Sequence, residues 1–161
     1  MNVQQYQFNF EIYQSFDELN DDDKSLLQQA KKVALQAYAP YSNFLVGAAA
    51  LLSNGKIIVG TNQENASYPV GICAERALLA MANNLFPEEH IINMAISYHQ
   101  VNGKSSKPVS PCGMCRQALV EHETRYKHSI RLILGGESGK IYIIPQSSLL
   151  LPLQFNDEFL K

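Results

Sequence analysis

Hydrophobic positions change their period along this chain, and each change predicts an element. Tyr6, Phe8, Phe10 and Ile12 alternate with Gln7, Asn9 and Glu11, a period of two that predicts a half-buried strand. Asn20-Asp21-Asp22-Asp23 supplies helix-start signals, with acidic groups favoured at the positive end of the helix dipole. Leu26, Leu27, Ala30, Val33, Ala34 and Ala37 recur at helical spacing, and Pro40 is expected to stop that helix because it lacks the N–H a further turn needs. Leu45 to Leu52 is an unbroken apolar run, fit for a buried strand, and Ser53-Asn54-Gly55-Lys56 turns it into a partner at Ile57-Ile58-Val59. Residues 61–72 read as a polar loop, Cys73 to Ala82 as helix, Ile91 to Tyr98 as strand and Gly113 to Glu123 as helix entered through Pro111-Cys112. Ile130 to Leu134 and Ile141 to Ile144 are two short β-branched strands. The connector from Gly135 to Lys140 is too short for a parallel crossover, which needs about a dozen residues, so this pair is expected to be antiparallel. The tail at Leu149, Leu150, Leu151, Leu153 and Phe155 is too apolar to float free. No internal repeat, low-complexity tract or linker interrupts the order, which predicts a mixed sheet flanked by helices.

Composition narrows the class. The chain has 161 residues, 46% hydrophobic and 17% charged, with a net charge of −2. That suits one compact domain, with surface available for burial in an oligomer, and lacks the basic footprint of a nucleic-acid binder. The longest apolar run, Phe44 to Leu52, falls short of the roughly 17–25 residues of a membrane span, so a soluble protein is expected. The N-terminal stretch has no basic cluster followed by an apolar block, so a secretory leader is not expected. Three cysteines, Cys73, Cys112 and Cys115, make a poor disulfide framework but a plausible metal or redox set.

Cys73-Ala74-Glu75 and Pro111-Cys112-Gly113-Met114-Cys115 each sit where a loop enters a predicted helix. There the dipole and free N–H groups favour a thiolate. Cys112 and Cys115 share one helical face, and Cys73 can supply a third ligand from a neighbouring helix. None of His90, His99, His122 and His128 lies at a ligand-like spacing from a cysteine, so three thiolates and an open position is the natural count for a catalytic zinc. Glu75, two residues past one ligand, can stand beside that position as a general acid/base. Taken alone, Cys-x-x-Cys is equally a redox pair, a structural zinc half-site or a catalytic one. Cys73 alone is most often a core thiol, and Glu75 alone a surface carboxylate. The combination of Cys-x-Glu and Pro-Cys-x-x-Cys, with Cys112 39 positions after Cys73, matches the signature of zinc deaminases in its three-cysteine form.

The chain resembles the small homotetrameric three-cysteine cytidine deaminases over about residues 24–155. The matching stretches are Ala39-Pro40-Tyr41-Ser42-Asn43-Phe44 with Val46-Gly47-Ala48-Ala49, Asn62-Gln63-Glu64-Asn65-Ala66, Cys73-Ala74-Glu75-Arg76, Ser110-Pro111-Cys112-Gly113-Met114-Cys115-Arg116-Gln117 and Leu150-Leu151-Pro152-Leu153-Gln154-Phe155. The resemblance implies a three-layer α/β/α fold on a mixed five-stranded sheet. To this the chain adds an N-terminal strand able to join a sheet edge, giving an extension at 1–20 and a deaminase domain at 21–161. It implies one zinc per subunit on Cys73, Cys112 and Cys115, and water attack at C4 of cytosine. Glu75 carries protons from that water to N3 and onto the departing ammonia. Phe44 packs against the pyrimidine, Asn62 and Glu64 hold the ribose 3′-hydroxyl, and Ala74 is a further substrate contact. Three thiolates and one zinc leave a net negative charge, which Arg76 is expected to offset by donating to a thiolate, with Arg116 as a substitute. Ala66, Tyr68 and Phe155 are the inter-subunit candidates; for Phe155, packing on its own subunit is an equal reading. The implied protein is a cytoplasmic enzyme of pyrimidine salvage acting on cytidine and 2′-deoxycytidine, with no nucleic-acid or membrane partner. A blasticidin-type deaminase and a nucleic-acid deaminase are the alternatives.

Overall fold

Both faces of the central strands are apolar because both are covered. The computed structural model describes residues 1–160, so Lys161, the end of the expected deaminase domain, lies outside the described residues. In chain order they form β1 (Glu11–Tyr13), α1 (Asp21–Ala34), β2 (Phe44–Leu52), β3 (Ile57–Thr61), α2 (Ala74–Leu85), β4 (Ile91–Gln100), α3 (Gly113–Tyr126), β5 (Arg131–Leu134) and β6 (Ile141–Ile144). The sheet runs β1-β6-β5-β4-β2-β3. Only β4 and β5 pair in parallel, with α3 as their crossover. β5 and β6 are antiparallel, as the short connector requires. Ala49, Ala95, Ile133 and Ile141 on one face pack with Leu26, Leu27 and Ala30 of α1. Ala48, Ala50, Ile96 and Leu132 on the other pack with Leu78 and Leu79 of α2 and Leu119 of α3. The result is the expected three-layer α/β/α fold, its sheet extended to six strands by β1.

Asn20 caps α1 by accepting from the Asp23 N–H at 2.9 Å. Asp23 is buried and takes a two-point grip from Arg131 on β5, both contacts at 2.7 Å, which fixes the helix start to the sheet. The helix ends at Ala34, before Pro40, so proline is not what stops it. Tyr38 N–H donates to the Asn62 carbonyl, and Glu64 N–H donates to the Tyr38 carbonyl at 2.8 Å. Those long-range bonds need extended backbone at Tyr38 and override the helical spacing of Ala37.

The N-terminal strand is shorter than its alternation. The register that pairs Glu11 with Ile143 would set Asn9 opposite Pro145, which has no N–H to give a ladder. The expected half-burial is met only at Phe8, since Tyr6, Phe10 and Ile12 are exposed. Phe10 meets Tyr142 edge-on at 5.1 Å, and Phe8 is half-buried against the α2/α3 core. In the tail, Leu149, Leu150 and Leu151 are partly buried, while Leu153 and Phe155 are exposed, so the segment is only partly covered by its own chain.

Two glycines set how closely helices approach the sheet. A Cβ on Gly47 would stand 2.2 Å from the Ala30 carbonyl oxygen of α1, and one on Gly60 would stand 2.7 Å from the Ala74 carbonyl and 2.8 Å from the Leu78 nitrogen of α2. Gly60 therefore fixes the height of the first turn of α2 over β3. Gly60→Ala is expected to lower unfolding free energy by about 1–3 kcal/mol in urea titration, as overpacking does. Gly113→Ala, where an added methyl meets nothing within 4 Å, is expected to leave it unchanged or slightly raised.

Candidate active site

Cys73 and Cys112 each occupy the residue just before the first turn of a helix, with extended backbone at ψ 155° and 170°. Neither side chain caps its own helix, so both sulfurs are free to face one another at the positive helix ends. Cys115 follows within the first turn of α3 and is fully buried. Cys73 Sγ lies 3.7 Å from Cys112 Sγ, and Cys112 Sγ lies 3.4 Å from Cys115 Sγ. All three sulfurs fall within 4.8 Å of one another. Two thiolates on a tetrahedral zinc, with bonds of about 2.3 Å, stand about 3.8 Å apart. The sulfurs are thus spaced for a shared metal and are far from disulfide contact at about 2.05 Å. Soft thiolate donors suit zinc over hard cations. Among the described residues no other group of His, Cys, Asp and Glu side chains converges in this way. None of the four histidines joins the cluster, as their spacing predicts.

Charge around the cluster is graded. The Cys73 thiol is pulled down to about 6, chiefly by its hydrogen bond with Cys115, with Cys112 and the Arg76 charge acting the same way against burial. Cys115 is pushed up by Cys73 and by burial. Glu75, on the first turn of α2, is 4% exposed. Burial raises its carboxyl above the usual range and negative charge on Cys73 adds to this, while its own backbone N–H opposes. Arg76 sets Nη1 3.9 Å from the Met114 Sδ, so its donor contact is to a thioether and not to the thiolate expected from the sequence, although its charge still favours ionised Cys73. The Arg116 guanidinium is engaged elsewhere, donating to the carbonyls of Pro111 and Leu150, both at 2.9 Å, and to Ser110 Oγ at 3.2 Å.

The cluster lies at one end of a cleft of about 690 Å³ that also takes in Phe44, Asn62, Glu64, Ala74 and Glu75. The substrate candidates named from sequence are therefore brought together. Phe44 stacks on Tyr98 at 4.8 Å and 23° between planes. The register sets Val46 opposite Tyr98, so period two places Phe44 on the same face as that ring. Tyr98 carries no motif of its own, but its position on β4 beside the Phe44 strand was the available signal.

Asn62 and Glu64 already have partners. Asn62 Oδ1 accepts from the Val46 N–H at 2.7 Å and Nδ2 donates to the Phe44 carbonyl at 3.0 Å. Glu64 accepts from Ser42 Oγ at 2.5 Å and from the Tyr41 N–H at 2.9 Å. The Ser42 hydroxyl leads in holding its carboxyl below the usual range. Ser42 Oγ in turn accepts from the Phe44 N–H at 3.0 Å. Ser42 was not singled out by the sequence; its place in the same stretch as Phe44 was the only hint. Tyr68 is 74% exposed at the cleft rim, and Ala66 is exposed beside it. Phe155 does not line this chain's cleft: its carbonyl accepts from Gln117 Nε2 at 2.8 Å and its ring stacks on Phe159 at 5.7 Å.

Known proteins with this arrangement are cytidine deaminases. A family model described as the cytidine and deoxycytidylate deaminase zinc-binding region matches residues 20–128. A cytidine deaminase from Halalkalibacterium halodurans is 39% identical over 129 residues, spanning 80% of this chain and 91% of the relative. One from Mycoplasma pneumoniae is 40% identical over 117 residues, spanning 72% and 83%. The crystal structure of cytidine deaminase from Burkholderia pseudomallei superposes with a TM-score of 0.69 at 34% identity, covering 85% of this chain and all of that one. With the three-sulfur cluster on the matched Cys-x-Glu and Pro-Cys-x-x-Cys stretches, this chain belongs to the zinc-dependent cytidine and deoxycytidylate deaminase family.

Proposed function

We propose that this chain hydrolyses the exocyclic amine of cytidine and 2′-deoxycytidine, giving uridine or 2′-deoxyuridine and ammonia, in pyrimidine salvage. The observation that carries this reading is the buried Glu75 carboxyl beside three converging sulfurs in a cleft that also holds Phe44, Asn62 and Glu64. Cys73, Cys112 and Cys115 hold the zinc, one per subunit, which when bound supplies a Lewis acid that makes water acidic enough to attack at neutral pH.

Glu75 takes one proton from the attacking water and gives it to N3 of the base. It then carries the second water proton to the amine at C4, which leaves as ammonia, and the C4 carbonyl remains. Its raised carboxyl suits a group that must both take and give protons. Phe44, braced on Tyr98, offers a ring face to the pyrimidine. Asn62 and Glu64 reach the sugar from the other end of the cleft. Ionised Glu64 accepts from the 3′-hydroxyl, and the second N–H of the Asn62 amide donates to it. The backbone of Ala74, between ligand and acid, lies where the base edge arrives.

A nucleic-acid substrate is disfavoured by the net charge of −2 and by the short antiparallel hairpin of β5 and β6. No helix among the described residues is long and apolar enough to cross a membrane. Residues 1–20 form an extension appended to the deaminase domain. A homotetramer with shared sites is supported by exposed apolar side chains at the rim and tail: Tyr68 at 74%, Val70 at 65%, Met114 at 62% and Phe155 at 56% exposure. In this reading the exposed Ala66 and Tyr68 meet a neighbouring subunit, and Phe155, which stacks on Phe159 within its own chain, would have to leave that contact to enter a neighbour's cleft.

Purified protein is expected to carry about one zinc per chain, since three convergent thiolates select it, and to release ammonia from cytidine as ultraviolet absorbance falls. Glu75→Gln should keep zinc and fold but lose ~10²–10⁴-fold in kcat; near-parental turnover would remove Glu75 as the proton carrier. Glu64→Ala should lower kcat/KM for cytidine by about 10–100-fold, the scale of a charged hydrogen bond, with zinc content unchanged. The parent should turn over free cytosine far more slowly than cytidine, and equal rates would contradict a sugar clamp. Light scattering should give the mass of four chains, and an active monomer would refute shared sites.

A further inference from the structure

The residues before the matched region reach back to the metal loop. The family match starts at residue 20, so the N-terminal arm lies outside it. β1 anchors it by pairing with β6, and Phe10 rests on Tyr142. Beyond the ladder, Tyr6 Oη donates to the Leu149 carbonyl at 2.8 Å. Leu149 and Leu150 end a single turn of 3-10 helix that spans Ser147–Leu150. The start of that turn is tied to α3, because Glu123 accepts from Ser147 N–H and Oγ at 3.1 and 2.7 Å. Tyr6 holds the other end.

The next residue passes the constraint on. The Leu150 carbonyl accepts from Arg116 Nη1 at 2.9 Å, and the same guanidinium grips the Pro111 carbonyl and Ser110 Oγ. Pro111 immediately precedes Cys112, the exposed member of the sulfur cluster. Phe8 of the arm, Val109 of the same loop and Leu150 all pack against one core cluster. We propose that the N-terminal arm positions the metal loop: Tyr6 fixes Leu149–Leu150, which fixes Arg116, which holds Pro111 and thereby Cys112. This inference rests on Cys112 and Cys115 being zinc ligands. Cys112 is the ligand that most needs such a brace. It is the exposed residue of the three, and it follows directly on the loop that Arg116 grips.

The test compares zinc-loaded parent with Tyr6→Phe, a chain lacking residues 1–9, Arg116→Met and the Tyr6→Phe/Arg116→Met pair. The rate of zinc transfer to an excess of chromogenic chelator is read well below every variant's unfolding midpoint, beside kcat and KM. Tyr6→Phe is expected to speed release about two- to tenfold, the range of one neutral hydrogen bond, and the shortened chain at least as much. In the Arg116→Met background the Tyr6 effect should vanish, because both substitutions cut one chain of contacts. Parental release rates in Tyr6→Phe, even with a lowered unfolding midpoint, overturn the brace, as does an effect seen in the shortened chain alone. An undiminished Tyr6 effect beside Arg116→Met overturns the route through Leu150. A parent that holds no zinc refutes the metal reading, and the brace with it. A parent that holds zinc while the variants release it no faster refutes the brace alone.

Discussion

Three sulfurs must meet within a few ångströms, and they come from two helices separated by a strand. Everything around the site follows from that constraint. α2 is brought down onto β3 until its first turn would touch a methyl on Gly60, which sets the position of Cys73. α3 is the crossover between parallel β4 and β5, so its start is carried to the same edge of the α2/α3 layer, where Cys112 and Cys115 face Cys73. Neither helix alone holds more than a partial ligand set. The sheet therefore does the chemical selection: it determines which helix ends share a corner, and zinc chemistry follows from the donors found there.

The other end of the cleft shows a second economy. Asn62 and Glu64 lie just past β3, and each holds the start of β2 while facing the cleft. Asn62 fixes the backbone on both sides of Leu45, and Glu64 fixes Ser42, whose hydroxyl fixes Phe44. The two residues proposed to hold the sugar thus also fix the backbone that carries the Phe44 ring. Asn43 completes the turn with φ 55°, a left-handed conformation that Asn tolerates better than most residues. Loss of Asn62 or Glu64 therefore also loosens the Ser42–Val46 segment, and its effect cannot be apportioned to a single hydrogen bond.

Much of this was legible in the sequence because the chemistry sits at helix starts, where local signals are strong. Asn20 caps α1, Cys73 and Cys112 precede α2 and α3, and the Asn54-Gly55 hairpin joins β2 to β3. Departures from expectation all came from partners distant in sequence. α1 stops at Ala34 because Tyr38 bonds across to Asn62 and Glu64, which no spacing rule contains. β1 covers three residues instead of seven because β6 ends before Pro145. Phe44 was legible as a cleft ring, but its support by Tyr98 depended on the β2–β4 register. Arg116, once a substitute donor to sulfur, is instead drawn to three oxygens by the return of the tail at Leu150.

Glu75 shows why the site is not simply the most stable arrangement of its parts. A carboxyl 4% exposed and next to a thiolate-rich cluster is an unfavourable place for negative charge, and its raised pKa is the direct sign of that. The fold tolerates it because Glu75 lies on the first turn of α2, where backbone N–H groups offset part of the penalty. The cluster has the same difficulty, since three thiolates outweigh a divalent ion. Arg76 is the adjacent cation, and its charge adds to the Cys115 and Cys112 hydrogen bonds that draw the Cys73 thiol down. Consecutive residues of one helix thus carry a carboxyl raised by burial and a cation that favours the Cys73 thiolate. Because neighbouring side chains on a helix point about 100° apart, Glu75 can face the cleft while Arg76 turns toward Met114 and the sulfurs. Opposite electrostatic demands are met at adjacent positions by helix geometry alone.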